Sequence, residues 1–314
     1  MLFRSSNNKS LVGINAESDG NYSGSVGKKT TSTGIIITVT EERVLILTSQ
    51  YAARRILTMN VTFNGGETVK GALVKYDSET GFGIIEVKYK NISKNTYMNI
   101  DPITIGNSQS LKNGSYCMLV GNPLGQVGSV LMGILTDNDD TYKTVDGEMQ
   151  MFTLNTLIRE GANGFMLNAK GELMGIITHD EDNSGEPNYA RVIGVSDMTG
   201  FIEHLCNNSA IPYLGVNLST IDDTKAKIYD IPQGAYVESV ELSSPAMEAG
   251  IQAGDIILEI NNQDAVTGRQ VLADILSLPV KEDGPTDVTV KFLRYSKGEY
   301  VDHMVKLTIG NRKR

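Results

Sequence analysis

Short runs of Val, Ile, Leu and Thr recur through the first part of the chain, each closed off by turn residues. They fall at 34–39, 44–48, 59–63, 71–75, 83–87, 116–121, 130–136 and 173–178. Their length, β-branched content and even spacing predict the strands of an all-β domain. Asn64-Gly65-Gly66 lies between two of the runs and offers residues that tolerate positive φ, the chemistry of a hairpin turn. The pattern fits two packed six-stranded barrels. The period changes at 196–207, where Met198, Phe201, Ile202 and Leu205 fall at helical spacing behind a candidate N-cap, Ser196. It does so again at 267–278, TGRQVLADILSL. The expected organisation is a disordered start at 1–8, a β-rich domain at 9–207, a linker at 208–210 and a second domain at 211–314.

Composition narrows the function classes. A chain of 314 residues accommodates two ordinary domains, and 40% apolar with 21% charged residues is the balance of a soluble globular protein. The net charge of −9, with no basic stripe, argues against nucleic acid as a partner; the basic end at Arg312-Lys313-Arg314 is short. Cys117 and Cys206 form no framework and read as unpaired, Cys117 inside an apolar strand. No metal site and no cofactor are expected, since there is no C-x-x-C and no His pair at ligand spacing. No apolar run is long enough for a membrane-spanning helix, and residues 1–20 hold neither an apolar core nor a cleavage-like end. Membrane attachment would need an anchor absent from this chain.

Three segments carry the chemistry. Residues 151–178 read MFTLNTLIREGANGFMLNAKGELMGIIT, with Gly161-Ala162-Asn163-Gly164 at their centre. Residues 44–53 read VLILTSQYAA, and residues 76–87 read YDSETGFGIIEV. In this order they resemble the three active-site segments of trypsin-like serine proteases of the HtrA/DegP family. Gly121-Asn122-Pro123-Leu124-Gly125 matches a turn found in that family and fixes the register. By itself the pentapeptide is an ordinary turn.

The resemblance implies a mostly β, chymotrypsin-like double barrel, and it places Tyr51, Gly81 and Asn163 where the family has its catalytic histidine, aspartate and serine. None of the three can do the work. A carboxamide is no nucleophile, a phenol with pKa near ~10 is a poor base at neutral pH, and a glycine cannot orient a base. The three histidines, His179, His204 and His303, all follow the nucleophile position. Loss of nucleophile or base alone costs on the order of a million-fold in a well-studied triad enzyme. The expectation is a pseudoprotease. The backbone donors of Gly161 and Asn163 remain as an oxyanion-like pocket, although Phe165 and Met166 replace a small residue and a proline and shorten the loop. His179 is read as a surface histidine among carboxylates. The acidic insert at 137–147, DNDDTYKTVDG, stands where the family has a regulatory loop and is read as a solvated hairpin tip.

The second half resembles a PDZ domain of the same family. Residues 211–216 read IPYLGV and residues 234–261 read GAYVESVELSSPAMEAGIQAGDIILEIN. The resemblance implies a small α+β, partly open barrel. Its loop Tyr213-Leu214-Gly215-Val216 would present backbone N–H groups to a peptide C-terminus, which adds as a strand to the sheet edge. The implied partners are peptides or unfolded protein C-termini, bound as by a scaffold, sensor or chaperone. A homotrimer, or a hetero-oligomer with an active homologue, is the assembly the family suggests, and a displaced triad is the alternative to a silent one. The compartment implied is extracytoplasmic, with the cytoplasm as the alternative.

Overall fold

A computed structural model describes residues 9–18, 29–49, 56–178, 188–279 and 286–312. The chain folds into two compact units. The first runs up to Asp140 and resumes at Met151–Asn208; the second comprises Thr141–Gln150 and everything from Ser209 onward. Tyr51, His179 and the acidic stretch after it lie outside the described residues.

The first seven strands are β1 (Leu11–Ser18), β2 (Lys29–Val39), β3 (Arg43–Ser49), β4 (Ile56–Phe63), β5 (Thr68–Lys70), β6 (Ala72–Tyr76) and β7 (Phe82–Lys88). They form one antiparallel sheet in the order β5-β4-β1-β2-β3-β7-β6. Its two edge strands, β5 and β6, are separated in the chain by Gly71 alone, so the sheet curls until its ends meet at that residue. The expected six strands become seven because Gly71 breaks one of them. A Cβ at Gly71 would lie 2.9 Å from Ile85 and 3.0 Å from Val61, so the corner has no room for a side chain. Inward residues such as Val12, Ile14, Ile46, Val61 and Ile85 are almost fully buried and fill this barrel.

The next six strands close a second barrel, in the order β10-β13-β12-β11-β8-β9. They are β8 (Tyr116–Asn122), β9 (Ser129–Thr144), β10 (Gly147–Leu157), β11 (Asn163–Leu167), β12 (Leu173–Thr178) and β13 (Tyr189–Gly194). Leu119, Phe152, Leu154, Met166 and Val192 make its core, and Cys117 is buried there as a free thiol. Helix α1 (Val195–Cys206) follows and buries Met198, Phe201, Ile202 and Leu205, as their spacing predicts. Its N-cap is Gly194 rather than Ser196. Ser196 is occupied elsewhere: its Oγ accepts the Ser108 N–H at 2.9 Å and its own N–H donates to the Ser108 hydroxyl at 3.1 Å.

The second unit holds β14 (Pro212–Tyr213), β15 (Val216–Ile221), α2 (Asp223–Tyr229), β16 (Gly234–Val240), α3 (Pro245–Glu248), β17 (Ile256–Ile260), β18 (Gln263–Asp264), α4 (Gly268–Ser277), β19 (Asp287–Ser296), β20 (Glu299–Thr308) and β21 (Gly310–Asn311). The main sheet runs β15-β16-β17-β19-β20, with β18 on β17, and β14 pairs with β21. Strand β15 is therefore an edge. Helix α4 starts from a full capping box between Thr267 and Gln270 and buries Val271, Leu272 and Ile275. Helix α2 leaves no periodic signature in the sequence, because it buries none of its residues and so has no apolar stripe; Asp222 caps it and Asp230 ends it in the left-handed region. Among the described residues, no helix is long and apolar enough to cross a membrane.

Candidate functional site

Two sites are predicted from sequence, one in each unit. In the first, Asn163 opens β11 and is 5% exposed. Its Oδ1 accepts the backbone N–H of Thr33 on β2 at 3.1 Å, so the carboxamide acts as a buried clamp between strands of the two barrels. Gly164 follows at φ 145°, where a Cβ would sit 2.3 Å from the Val120 carbonyl; only glycine allows β11 to lie this close to β8. Gly161 is exposed at φ 73°, and the N–H of Ala162 between the two expected oxyanion donors turns back to the Arg159 carbonyl at 3.0 Å.

Gly81 sits at φ 72° in the turn before β7, its N–H bonded to the Asp77 carbonyl at 3.0 Å. Asp77, a carboxylate of the same segment, is buried. Its Oδ2 accepts both the N–H and the hydroxyl of Thr80, at 3.0 and 2.7 Å. It thus holds its own turn together. A cavity of about 360 Å³ lies beside the Gly121 turn, lined by residues that include Val12, Thr31, Thr33, Gly121, Val127 and Ser129. Among the described residues its lining offers hydroxyls but no titratable side chain that could take a proton from them. Of the described histidines, His204 lies in the last turn of α1 and His303 stacks on Phe292.

In the second unit, Leu214, Gly215 and Val216 form the predicted N–H loop. Gly215 takes φ 90° with its backbone hard against Ser244, where a Cβ would come within 2.2 Å of the serine Cβ. This kink turns three successive N–H groups toward one point, an anion-binding nest. The Ala246 N–H donates to the Leu214 carbonyl and the Glu241 N–H to the Gly215 carbonyl, so the loop is fixed from both flanks. Tyr213 is placed differently from its three neighbours: it lies in β14, opposite Gly310.

The point on which the N–H groups converge is occupied. The side chain of Asp146, from Thr141–Gln150, accepts Leu214 N–H at 2.9 Å, Gly215 N–H at 2.6 Å and Val216 N–H at 3.0 Å. The Asp146 N–H in turn donates to the Val216 carbonyl at 2.7 Å. Burial pushes the Asp146 carboxyl up to about 6, against the pull of the loop N–H groups and the Arg312 charge. The acidic insert is therefore not a solvated tip. Its outer part extends β9 to Thr144, and its end, Asp146-Gly147, is buried together with Glu148 and Met149 that follow. The composition DNDDTYKTVDG hides this, since a carboxylate is read as solvent-facing unless three donors for it are known.

Comparisons with known proteins agree with this architecture. Residues 32–176 match the trypsin-like peptidase domain family, and residues 236–294 match the PDZ domain family. The serine protease Do-like HtrB of Bacillus subtilis (strain 168) is 28% identical over 285 residues, covering 84% of this chain and 59% of that protein. A protein of Halomonas elongata named "Probable periplasmic serine endoprotease DegP-like" is 26% identical over 290 residues, covering 90% of this chain and 57% of its own length. The chain thus spans under two thirds of either relative. Among solved structures, the HtrA-type protease AlgW with tripeptide superposes with a TM-score of 0.69 over 98% of this chain and 95% of that one, at 19% identity, a likeness of fold. A trypsin-like peptidase domain followed by a PDZ domain, in this order and among these relatives, makes the chain a member of the HtrA/DegP family.

Proposed function

We propose that this chain is a non-proteolytic member of its family, which binds extended peptides or unfolded protein C-termini through the second unit and acts as a scaffold or sensor outside the cytoplasm. One observation carries the reading. Between Ile158 and Leu167, where the family's nucleophile would lie, there is no serine, threonine or cysteine, and no histidine precedes His179. The absence holds in any register of the loop. Asn163 adds to it, being spent on Thr33. The anion nest at Leu214–Val216 supports binding: three backbone donors beside an edge strand suit a terminal carboxylate. The name of the Halomonas relative supports the compartment.

The test is incubation of the full chain with fluorescent unfolded casein and, separately, with labelled peptides carrying free C-terminal carboxylates. The expected result is peptide binding with casein cleavage at the buffer rate. Cleavage that grows with protein concentration and is blocked by a serine-directed phosphonate would replace this reading with that of an active endopeptidase using a displaced nucleophile.

A further inference from the structure

The nest is only part of what Thr141–Gln150 engages. Gly147 lies against the start of α4: a Cβ on it would be 2.3 Å from the Gly268 carbonyl and 2.5 Å from the Leu272 Cβ. Glu148 reaches β15, its Oε2 accepting the Thr220 hydroxyl at 2.6 Å, while that hydroxyl accepts the Gly268 N–H at 3.0 Å. Lys143 pairs with Glu238 at 2.7 Å, and Arg312 donates to the Val145 carbonyl at 2.9 Å. Within the second unit, one short segment therefore covers the carboxylate loop, the head of the edge strand and the facing helix. These are the three surfaces that strand addition of a peptide requires. The match extends to direction of bonding: a carboxylate in the nest, and the N–H of the same residue on the carbonyl of Val216.

We propose that residues 144–148 are a resident ligand of this groove. Asp146 stands in for the terminal carboxylate of a peptide, and a free C-terminus enters only as the tip leaves. The proposal rests on the peptide-binding reading above and adds who competes for the site. The tip holds two handicaps as a ligand. Asp146 adopts φ 71°, a left-handed conformation unfavourable to a residue with a Cβ, and its carboxylate is wholly buried. What offsets them is tethering, which gives a linked segment an effective concentration in the millimolar range. A peptide with its own terminal carboxylate and no strained residue can displace it, but at a reduced apparent affinity.

The experiment uses the full chain and its Asp146→Ala and Asp146→Asn variants. Fluorescein-labelled hexapeptides ending in free Val, Ile, Leu, Phe or Ala are titrated by anisotropy, with amidated peptides as controls. Amide hydrogen exchange is followed at Leu214, Gly215 and Val216. The expected result is at least ten-fold tighter binding to Asp146→Ala than to wild type for free-carboxylate peptides, with Asp146→Asn between them. The three loop amides should be protected in wild type and exposed in Asp146→Ala, while β16 to β20 exchange unchanged and so report an intact fold. Equal affinity in wild type and Asp146→Ala would overturn the resident ligand and leave peptide binding standing. Loop amides that exchange equally in both would overturn it as well. Protection lost in Asp146→Ala with no peptide bound by any of the three proteins would establish the tip as occupant and overturn the peptide-binding reading instead.

Discussion

The Gly215 N–H donates to the Asp146 carboxylate at 2.6 Å, across 69 positions of sequence. Gly215 belongs to the loop that the sequence marks as a carboxylate receptor, and Asp146 to an insert that it marks as surface. Their bond ties the binding chemistry of the second unit to a segment that the sequence alone would leave in water.

Gly147 tests how tightly that segment is seated. Gly147→Ala places a methyl against the Gly268 carbonyl and the Leu272 Cβ, at 2.3 and 2.5 Å in the present geometry. Backbone and helix must move, or the tip must. We expect exchange at Leu214, Gly215 and Val216 to rise at least ten-fold, with exchange in β8 and β11 unchanged. Unchanged loop protection would mean that Gly147 is not packed as described.

The seating depends on pH with a definite sign. Asp146 titrates near 6 in the folded protein, above the ordinary carboxylate range, chiefly because it is buried. Between about pH 4 and 6 the folded state therefore binds more protons than the unfolded one. The contribution to stability is full below this window and is lost as pH rises through it, with no further change above it. Thermal unfolding of the second unit in wild type minus that in Asp146→Asn should show this loss between pH 4 and 6. A difference that grows with pH would contradict it.

Much of the architecture is legible in the sequence, for reasons that particular residues make plain. Ile36, Ile46 and Val61 are core positions of β-branched runs, and Met198, Phe201, Ile202 and Leu205 keep the helical period, so burial and periodicity agree. Helix α2 has no such period, and Ser196 has an N-cap's chemistry but finds a better partner in Ser108 across 88 positions. The site is half legible. Leu214-Gly215-Val216 is a local motif with a glycine at its kink, whereas its occupant lies 68 to 70 positions upstream and is recognisable only once the fold brings it there. The Thr33–Asn163 bond, across 130 positions, is invisible for the same reason.

Restoring a hydroxyl should not restore catalysis. Asn163→Ser supplies a nucleophile's side chain with no histidine upstream of it in the sequence. Loss of the base alone costs on the order of a million-fold in a triad enzyme, so casein turnover by Asn163→Ser should stay at background. The substitution also removes the partner of a buried N–H on Thr33. Stability should fall by about 1–3 kcal/mol in chemical denaturation. Measurable turnover by this variant would show that a base lies within reach.

The second unit has its own structural ion pair. Asp255 is 1% exposed and accepts two bonds from Arg294, both at 2.7 Å, and the Gln252 N–H at 2.8 Å. Asp255→Ala leaves the Gln252 N–H without its acceptor and the Arg294 guanidinium with the Gly250 carbonyl alone, and removing the buried partner of such a pair costs about 3–5 kcal/mol. The loss should appear in the unfolding of the second unit, and a change below about 1 kcal/mol would place the pair among surface interactions.

The measurement that bears most directly on the account is the intact mass of the full chain after prolonged exposure to a serine-directed phosphonate. The expected mass is unmodified, because no hydroxyl lies between Ile158 and Leu167 and, among the described residues, none that lines the adjoining cavity can act as a base. A stoichiometric adduct on any serine or threonine would contradict it.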